Sequence, residues 1–177
     1  MNQAEHDMLV LTAQDGGREA LQALVRHHHR SLLRFALSLC GNRALAQDAV
    51  QDAWMTVARR LRRLEDPRAF RSWIFRAVRW RTLDLLRRSE AAAARLDDID
   101  EPGDGGRAGA ANERQLDLAA AIDALEPIDR QALELHYLAG LKVAEIASVL
   151  EIPPGTVKSR LHRARNRLAE TLTGENP

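Results

Sequence analysis

Between Pro154 and Leu168 the chain carries Lys158, Arg160, Arg163, Arg165 and Arg167 and no acid. Thr156, Ser159 and His162 stand among them, so this short stretch is dense in positive charge and in hydrogen-bond donors. The chemistry open to such a set is binding: ion pairing with phosphates, and donation by Arg and Lys to guanine acceptors in a major groove. A second block, from Arg59 to Arg88, sets 11 Arg against Glu65, Asp66 and Asp84. Between the blocks, nine acids from Asp97 to Glu126 face only Arg107 and Arg114. The net charge of +1 hides this segregation. Two basic blocks flanking an acidic stretch point to two polyanion-binding surfaces, although a charge run by itself also fits a solvated helix face.

Other chemistries find little support. His27, His28 and His29 invite a metal, but consecutive helical residues project about 100° apart and cannot all face one ion. Ser31, Leu32 and Leu33 supply no ligand one turn on, so surface or half-buried histidines are expected and no metal site. Cys40 is the single cysteine, which excludes an intrachain disulfide and a cysteine-rich zinc site. Within the run Phe35 to Cys40 it reads as a small buried hydrophobe. No glycine-rich phosphate loop appears, and no serine or cysteine sits in a nucleophile motif. The expectation is therefore no enzyme, no cofactor and no small-molecule substrate. No apolar run approaches the roughly 20 residues that span a bilayer. Met1 to Asp7 lacks the basic start and apolar core of a signal peptide, so no membrane insertion and a cytoplasmic location are expected.

The elements that position the basic residues read as helices throughout. The 177 residues are 45% hydrophobic and 29% charged, rich in Arg and Ala, and free of alternating runs longer than a few residues. Leu21, Leu24, Val25, Leu32, Phe35, Ala36 and Leu39 recur at helical spacing up to Cys40; Gly41 stops that helix and Asn42 caps the next. The second helix runs through Ala46, Ala49, Val50, Ala53, Trp54, Val57 and Leu61. Asp66-Pro67 opens a third, with Phe70, Trp73, Ile74, Ala77, Val78 and Leu85 along one face. Leu96 to Gly109, with four glycines and a proline among acids, reads as a flexible acidic linker. The predicted fold is all-α: a helical domain over 1–90, a linker over 91–112 and a second helical domain over 113–177.

In the second domain, Leu116 to Leu125 and Ile128 to Leu138 predict two helices, the latter closed by Gly140. Val143, Ile146, Ala147 and Leu150 make a short helix, Glu151 to Pro154 a turn, and Gly155 to Leu172 a longer basic helix. A short helix, a tight turn and a basic helix are the proportions of a DNA-reading helix-turn-helix. Val157, Leu161, Ala164 and Leu168 would face inward, turning Lys158, Ser159, His162, Arg163 and Arg165 outward with Arg160 beside them. Thr156 and the free amides at the helix start suit a phosphate. The bland alternative is a basic surface helix lying as the lid of a small bundle.

Leu138-Ala139-Gly140-Leu141-Lys142-Val143-Ala144-Glu145-Ile146-Ala147, followed by Ile152 to Arg165, resembles the C-terminal domain of the extracytoplasmic-function group of RNA polymerase sigma factors in the sigma-70 family. The first half is similar to the same family's other domain, through Leu24 to Arg30, Leu39 to Arg43, Asp48 to Trp54, Phe70 to Arg79 and Leu83 to Arg88. Together the two resemblances cover about residues 18–90 and 116–170, in the family's order. They imply a factor that binds core RNA polymerase and directs it to promoter DNA in response to a stress or envelope signal. The C-terminal domain would recognise the −35 element through Thr156, Lys158, Ser159, Arg160, His162, Arg163 and Arg165. Asp48, Gln51, Asp52 and Trp54 match the part that docks on the polymerase. The loop Leu64 to Phe70 matches the part that captures an extruded base of the −10 element. Arg68, Phe70, Arg71, Arg76, Arg79, Trp80 and Arg87 are the implied −10 contacts.

The chain departs from the family at three places. Trp80 stands where an asparagine is usual, and is expected to pack rather than to stack on a base. Pro154 adds a second proline in the turn, and the 64–68 loop lacks the glycine of many members. The resemblance also implies an anti-sigma protein; the acidic linker would bridge the two domains, where its charge could mimic a nucleic-acid strand. The competing readings are a self-sufficient regulator of palindromic operators, its first half a sensor or dimerisation domain, and an adaptor that binds polymerase but no promoter.

Overall fold

The computed structural model describes residues 1–93 and 120–173. Among them there are helices and turns and no strand. The chain divides into two compact units, Met1–Gly103 and Asp104–Pro177. Of the expected linker, residues 91–93 end a helix and the remainder, including Leu96 to Gly109, lies outside the described residues.

The described residues of the N-terminal unit form four helices: α1 (Gln3–Gln14), α2 (Arg18–Cys40), α3 (Arg43–Arg60) and α4 (Phe70–Ala93). Helix α1 was not expected from the sequence. Its start is fixed by a reciprocal cap: Asn2 Oδ1 accepts from the Glu5 N–H and the Glu5 carboxylate from the Asn2 N–H, both at 2.9 Å. Only His6 and Val10 of α1 are buried, too few to signal a helix by periodicity. The α2–α3 corner follows the sequence: Gly41 takes a left-handed φ of 65°, and Asn42 Oδ1 accepts from the Ala44 and Leu45 N–H groups. Asp66 caps as expected, accepting from the Arg68 N–H at 2.9 Å. The chain then makes a 3-10 turn over Pro67–Ala69 before α4 begins. Another 3-10 turn, Leu61–Arg63, ends α3.

The core combines Leu24, Leu32, Phe35 and Ala36 with the small face of α3 (Ala46, Ala49, Val50, Ala53, Val57) and with Phe70, Ile74, Phe75 and Val78 of α4. Of the histidine tract only His28 turns inward; His27 and His29 are exposed. His28 meets the buried His6 of α1, their Nε2 atoms 2.8 Å apart, so one ring donates and the other accepts. Burial, with the neighbouring His6, His27 and Arg71, pushes the His28 pKa from 6.5 down to about 3. Burial lowers that of His6 too, against the pull of Asp7. Cys40 is half-buried, its Sγ 3.2 Å from the Ala36 and Asn42 carbonyl oxygens, and burial raises its pKa.

The C-terminal unit has a helical turn over 120–123, then α5 (Pro127–Tyr137), α6 (Val143–Leu150) and α7 (Pro154–Thr173). Gly140, at φ 66°, turns the chain out of α5. Glu151 takes a left-handed φ of 58° to make the sharp α6–α7 turn, a conformation that costs a non-glycine residue roughly 1 kcal/mol. The predicted stripe holds: Val157, Leu161 and Ala164 are buried and Leu168 packs against Leu125, Leu133 and Ala164. The polar exception is Asp129, fully buried in the first turn of α5, where the helix dipole favours an anion. Its Oδ1 lies 2.9 Å from Arg160 Nη1 and its Oδ2 3.7 Å from Arg163 Nη1, tying α5 to α7.

Two stability predictions follow from these buried polar contacts. Arg160→Ala strands the Asp129 carboxylate with only the longer Arg163 contact, and should destabilise the C-terminal unit by about 2–3 kcal/mol. Arg165→Ala should change it by no more than about 0.5 kcal/mol. Urea unfolding followed by NMR amide signals of that unit tests both, and equal effects would discount the buried pair. For His28 the folded pKa lies below the unfolded one, so the unfolded chain takes up the proton first as pH falls. The contribution is complete above about pH 6.5 and declines as pH drops towards 3. The thermal midpoint of the N-terminal unit, read from Trp fluorescence, should fall between pH 7 and pH 5. The His6→Leu/His28→Leu double variant should lose most of that slope.

Candidate functional site

The exposed side of α7 carries Lys158, Ser159, His162, Arg163 and Arg165. Its orientation follows from the stripe beneath it: with Val157, Leu161 and Ala164 inside, the residues one position after each must point out. Thr156 is half-buried, and its carbonyl oxygen accepts from Ser159 Oγ at 2.9 Å. His162 lies 3.3 Å from the amide of Asn166, an exposed residue one turn on that the sequence reading passed over. Its spacing from His162 was the available signal. The expectation for Arg160 needs correction: its guanidinium is turned to the buried Asp129 and is half-buried itself, so it holds α7 in place. Pro154 opens α7, where a missing N–H costs no helical hydrogen bond.

On the N-terminal unit, Phe70, Ile74 and Val78 bury one side of α4, which leaves Arg76, Trp80 and Arg87 on the other, within about 40° of arc. Trp80 is 60% exposed, so it does not pack inside this unit. Arg79 and Arg71 are half-buried, and Arg87 donates from Nε to the Leu83 carbonyl at 3.2 Å. Arg68 is exposed in the loop before α4, its Nε 3.1 Å from Asp66 Oδ1. The hydrogen bond from the Arg68 N–H, aided by that contact, holds the Asp66 carboxyl below its ordinary pKa. Phe70, expected as a −10 contact, is fully buried. Its ring lies 5.6 Å from that of His6, 5.7 Å from His28, 6.4 Å from Trp54 and 6.3 Å from Trp73. It acts from inside the fold, because the apolar side of α4 starts with it.

The third surface is the outer side of α3, where Asp48 and Gln51 are exposed. Met55 stands one turn beyond Gln51, 49% exposed, and is a further member that the spacing could have supplied. Asp52, one turn after Asp48 and 36% exposed at its side chain, is paired at the edge of this surface: Arg81 of α4 meets its Oδ2 through Nε at 2.7 Å and Nη2 at 2.6 Å, and meets Asp84 at 3.1 Å. Trp54 is half-buried against Phe70, and its indole N–H is buried without a hydrogen bond. It is mainly an interior residue.

The geometry thus offers a helix-turn-helix with a donor-rich outer face, and a separate four-helix unit with an arginine- and tryptophan-bearing face. Comparison with known proteins finds the same two parts. Residues 24–92 match the family model described as Sigma-70 region 2, and residues 115–168 that described as Sigma-70, region 4. The chain is 35% identical over 158 residues to the ECF RNA polymerase sigma factor SigM of Mycobacterium tuberculosis, covering 89% of this chain and 79% of that protein. It is 34% identical over 157 residues to the ECF RNA polymerase sigma factor SigE of Mycolicibacterium smegmatis, covering 84% of this chain and spanning 60% of that protein's length. Among solved structures it is similar to the sigma factor RpoE, in complex with the anti-sigma factor NepR from Bartonella quintana. The TM-score there is 0.66 at 25% identity, covering 88% of this chain and 98% of that one. CnrH, in complex with the cytosolic domain of CnrY, shares the fold with a TM-score of 0.68 at 24% identity, covering 97% and 99%. The chain belongs to the extracytoplasmic-function group of RNA polymerase sigma factors, the ECF group.

Proposed function

We propose that this chain binds core RNA polymerase and selects promoters, its N-terminal unit engaging the −10 element and its C-terminal unit the −35 element. The observation that carries the reading is the pair of chemically different exposed surfaces, one on each family-matched unit. The α7 face presents Lys158, Ser159, His162, Arg163 and Arg165, side chains suited to base edges and phosphates of a duplex. Thr156 lies at the helix start, where amides favour a phosphate. The α4 face presents Trp80 between Arg76 and Arg87, a set suited to stacking an unpaired base and holding its backbone; Arg79 lies further round the helix, and Arg68 and Arg71 stand at its start. The loop from Leu64 to Phe70 would capture an extruded base, whose unstacking costs a few kcal/mol that contacts must offset. On α3, Asp48, Gln51 and Met55 form the polymerase-docking face. Trp54, Phe70 and Arg160 support these surfaces from behind, and Asp52, paired with Arg81, belongs to the docking face beside Asp48.

Chemistry would stay with the polymerase; this chain contributes recognition and melting, and is not an enzyme. An anti-sigma protein is proposed as a further partner, since RpoE and CnrH were solved with NepR and with the cytosolic domain of CnrY. A cytoplasmic location fits these partners, and no described helix is long and apolar enough to cross a membrane.

Run-off transcription with core polymerase on templates with randomised upstream DNA tests the reading. Transcripts that require the chain and share two upstream elements are expected. Specific duplexes retained by the chain alone, with no transcripts, would instead favour a stand-alone regulator. Lys158→Ala should weaken use of the preferred −35 element by roughly 1–3 kcal/mol if it reads a base. A loss equal on all −35 sequences would mark Lys158 as a phosphate contact.

A further inference from the structure

Helix α1 precedes the family-matched residues, which begin at 24, yet it holds both ends of the loop proposed to capture the −10 base. At the end nearer α3, the Gln14 side-chain amide donates to two carbonyl oxygens of the turn, Leu61 O at 3.0 Å and Leu64 O at 2.6 Å. The same turn answers back, Arg62 Nε donating to the Gln14 carbonyl oxygen at 3.2 Å. At the far end, His6 of α1 lies against Phe70, the first residue of α4, and is hydrogen-bonded to His28 of α2. Between these anchors stand the exposed Glu65, Asp66 and Arg68.

We propose that α1 is a brace for the base-capturing loop, with Gln14 as its positioning residue, and that it sets how sharply the chain discriminates among −10 sequences. The inference rests on the base-capture reading of Leu64 to Phe70. A pocket that accepts an extruded base must be held within about half an ångström of its working geometry. Fixing a backbone residue costs conformational entropy. A loop already pinned at both ends meets that cost when the unit folds rather than when DNA arrives, so more of the binding energy remains to separate one base from another. Gln14 suits the task because its amide group carries two donors on one nitrogen, one for each carbonyl. It contacts the loop's backbone and would touch no DNA itself.

The test uses the full chain with core polymerase and a set of promoters that differ only at the −10 bases. Gln14→Met keeps the length and apolar stem of the side chain and removes both donors; Gln14→Lys restores donation. With Gln14→Met, the spread in transcript yield between the best and worst −10 sequences should shrink roughly fivefold, as expected for one net hydrogen bond. Dependence on the −35 element should stay as it was, and Gln14→Lys should recover most of the spread. An unchanged spread with Gln14→Met, or a loss equal on every promoter as an unfolded unit would give, overturns the brace. Arg68→Ala combined with Glu65→Ala separates the two readings. If that pair alters −10 preference and Gln14→Met does not, the brace alone fails. If neither alters it, the base-capture reading fails and the brace with it.

Discussion

The ring of Phe70 is where all four helices of the N-terminal unit meet: His6 from α1, His28 from α2, Trp54 from α3 and Trp73 from α4 itself surround it. An aromatic ring so enclosed leaves α4 no rotational choice, because turning the helix would expose Phe70, Ile74 and Val78 together. The outward direction of Arg76, Trp80 and Arg87 is thus a consequence of what lies behind them. Phe70 also ends the 64–70 loop, so the same ring fixes one end of that segment. The proposed recognition surface and the core share a residue, and neither can be rearranged without the other.

The C-terminal unit reaches the same end through a charge. Asp129 is fully buried at the start of α5 with Arg160 against it. A buried pair contributes little net stability compared with a well-packed apolar alternative, but half a pair is strongly unfavourable. Its value here lies in register: only one rotation and height of α7 brings Arg160 onto Asp129, and that setting turns Lys158, His162 and Arg165 outward. The arginines of both units are accordingly divided in role. Arg81 and Arg160 hold helices together through Asp52 and Asp129, whereas Arg76 and Arg165 face out.

That division explains what the sequence could and could not disclose. Local signals carried well: Gly41, Asn42, Asp66 and Gly140 mark boundaries by backbone chemistry, and Val157, Leu161 and Ala164 expose the rotation of α7 by their spacing. Helix α1 was illegible because it buries two side chains and relies on Asn2 and Glu5 for its start. The site residues with interior partners share another cause. Arg160 and Asp52 have the types and spacing of surface contacts, and Phe70 stands both on an apolar stripe and among the implied contacts; their partners lie far along the chain: Asp129, Arg81, and His6 and His28. Gln14 is the extreme case, meeting carbonyls 47 and 50 residues away that carry no side-chain signature at all. Pattern reading sees spacing within an element, and these contacts are made between elements.

The proposed division of labour between the units is consistent with the solvent each face meets. A duplex presents base edges and phosphates, and a face of short and cationic donors such as Lys158, Ser159 and Arg165 can address both without apolar area. A melted strand presents ring faces as well, and only an aromatic surface can replace the stacking partner a base has lost. Trp80 offers that surface on α4; the exposed residues of α7 include no tryptophan or phenylalanine. Leaving a tryptophan 60% exposed is unfavourable in water. A nucleic acid that supplies a base there removes that exposure at the moment the strands separate, so the burial of Trp80 and the melting of the duplex would be parts of one step.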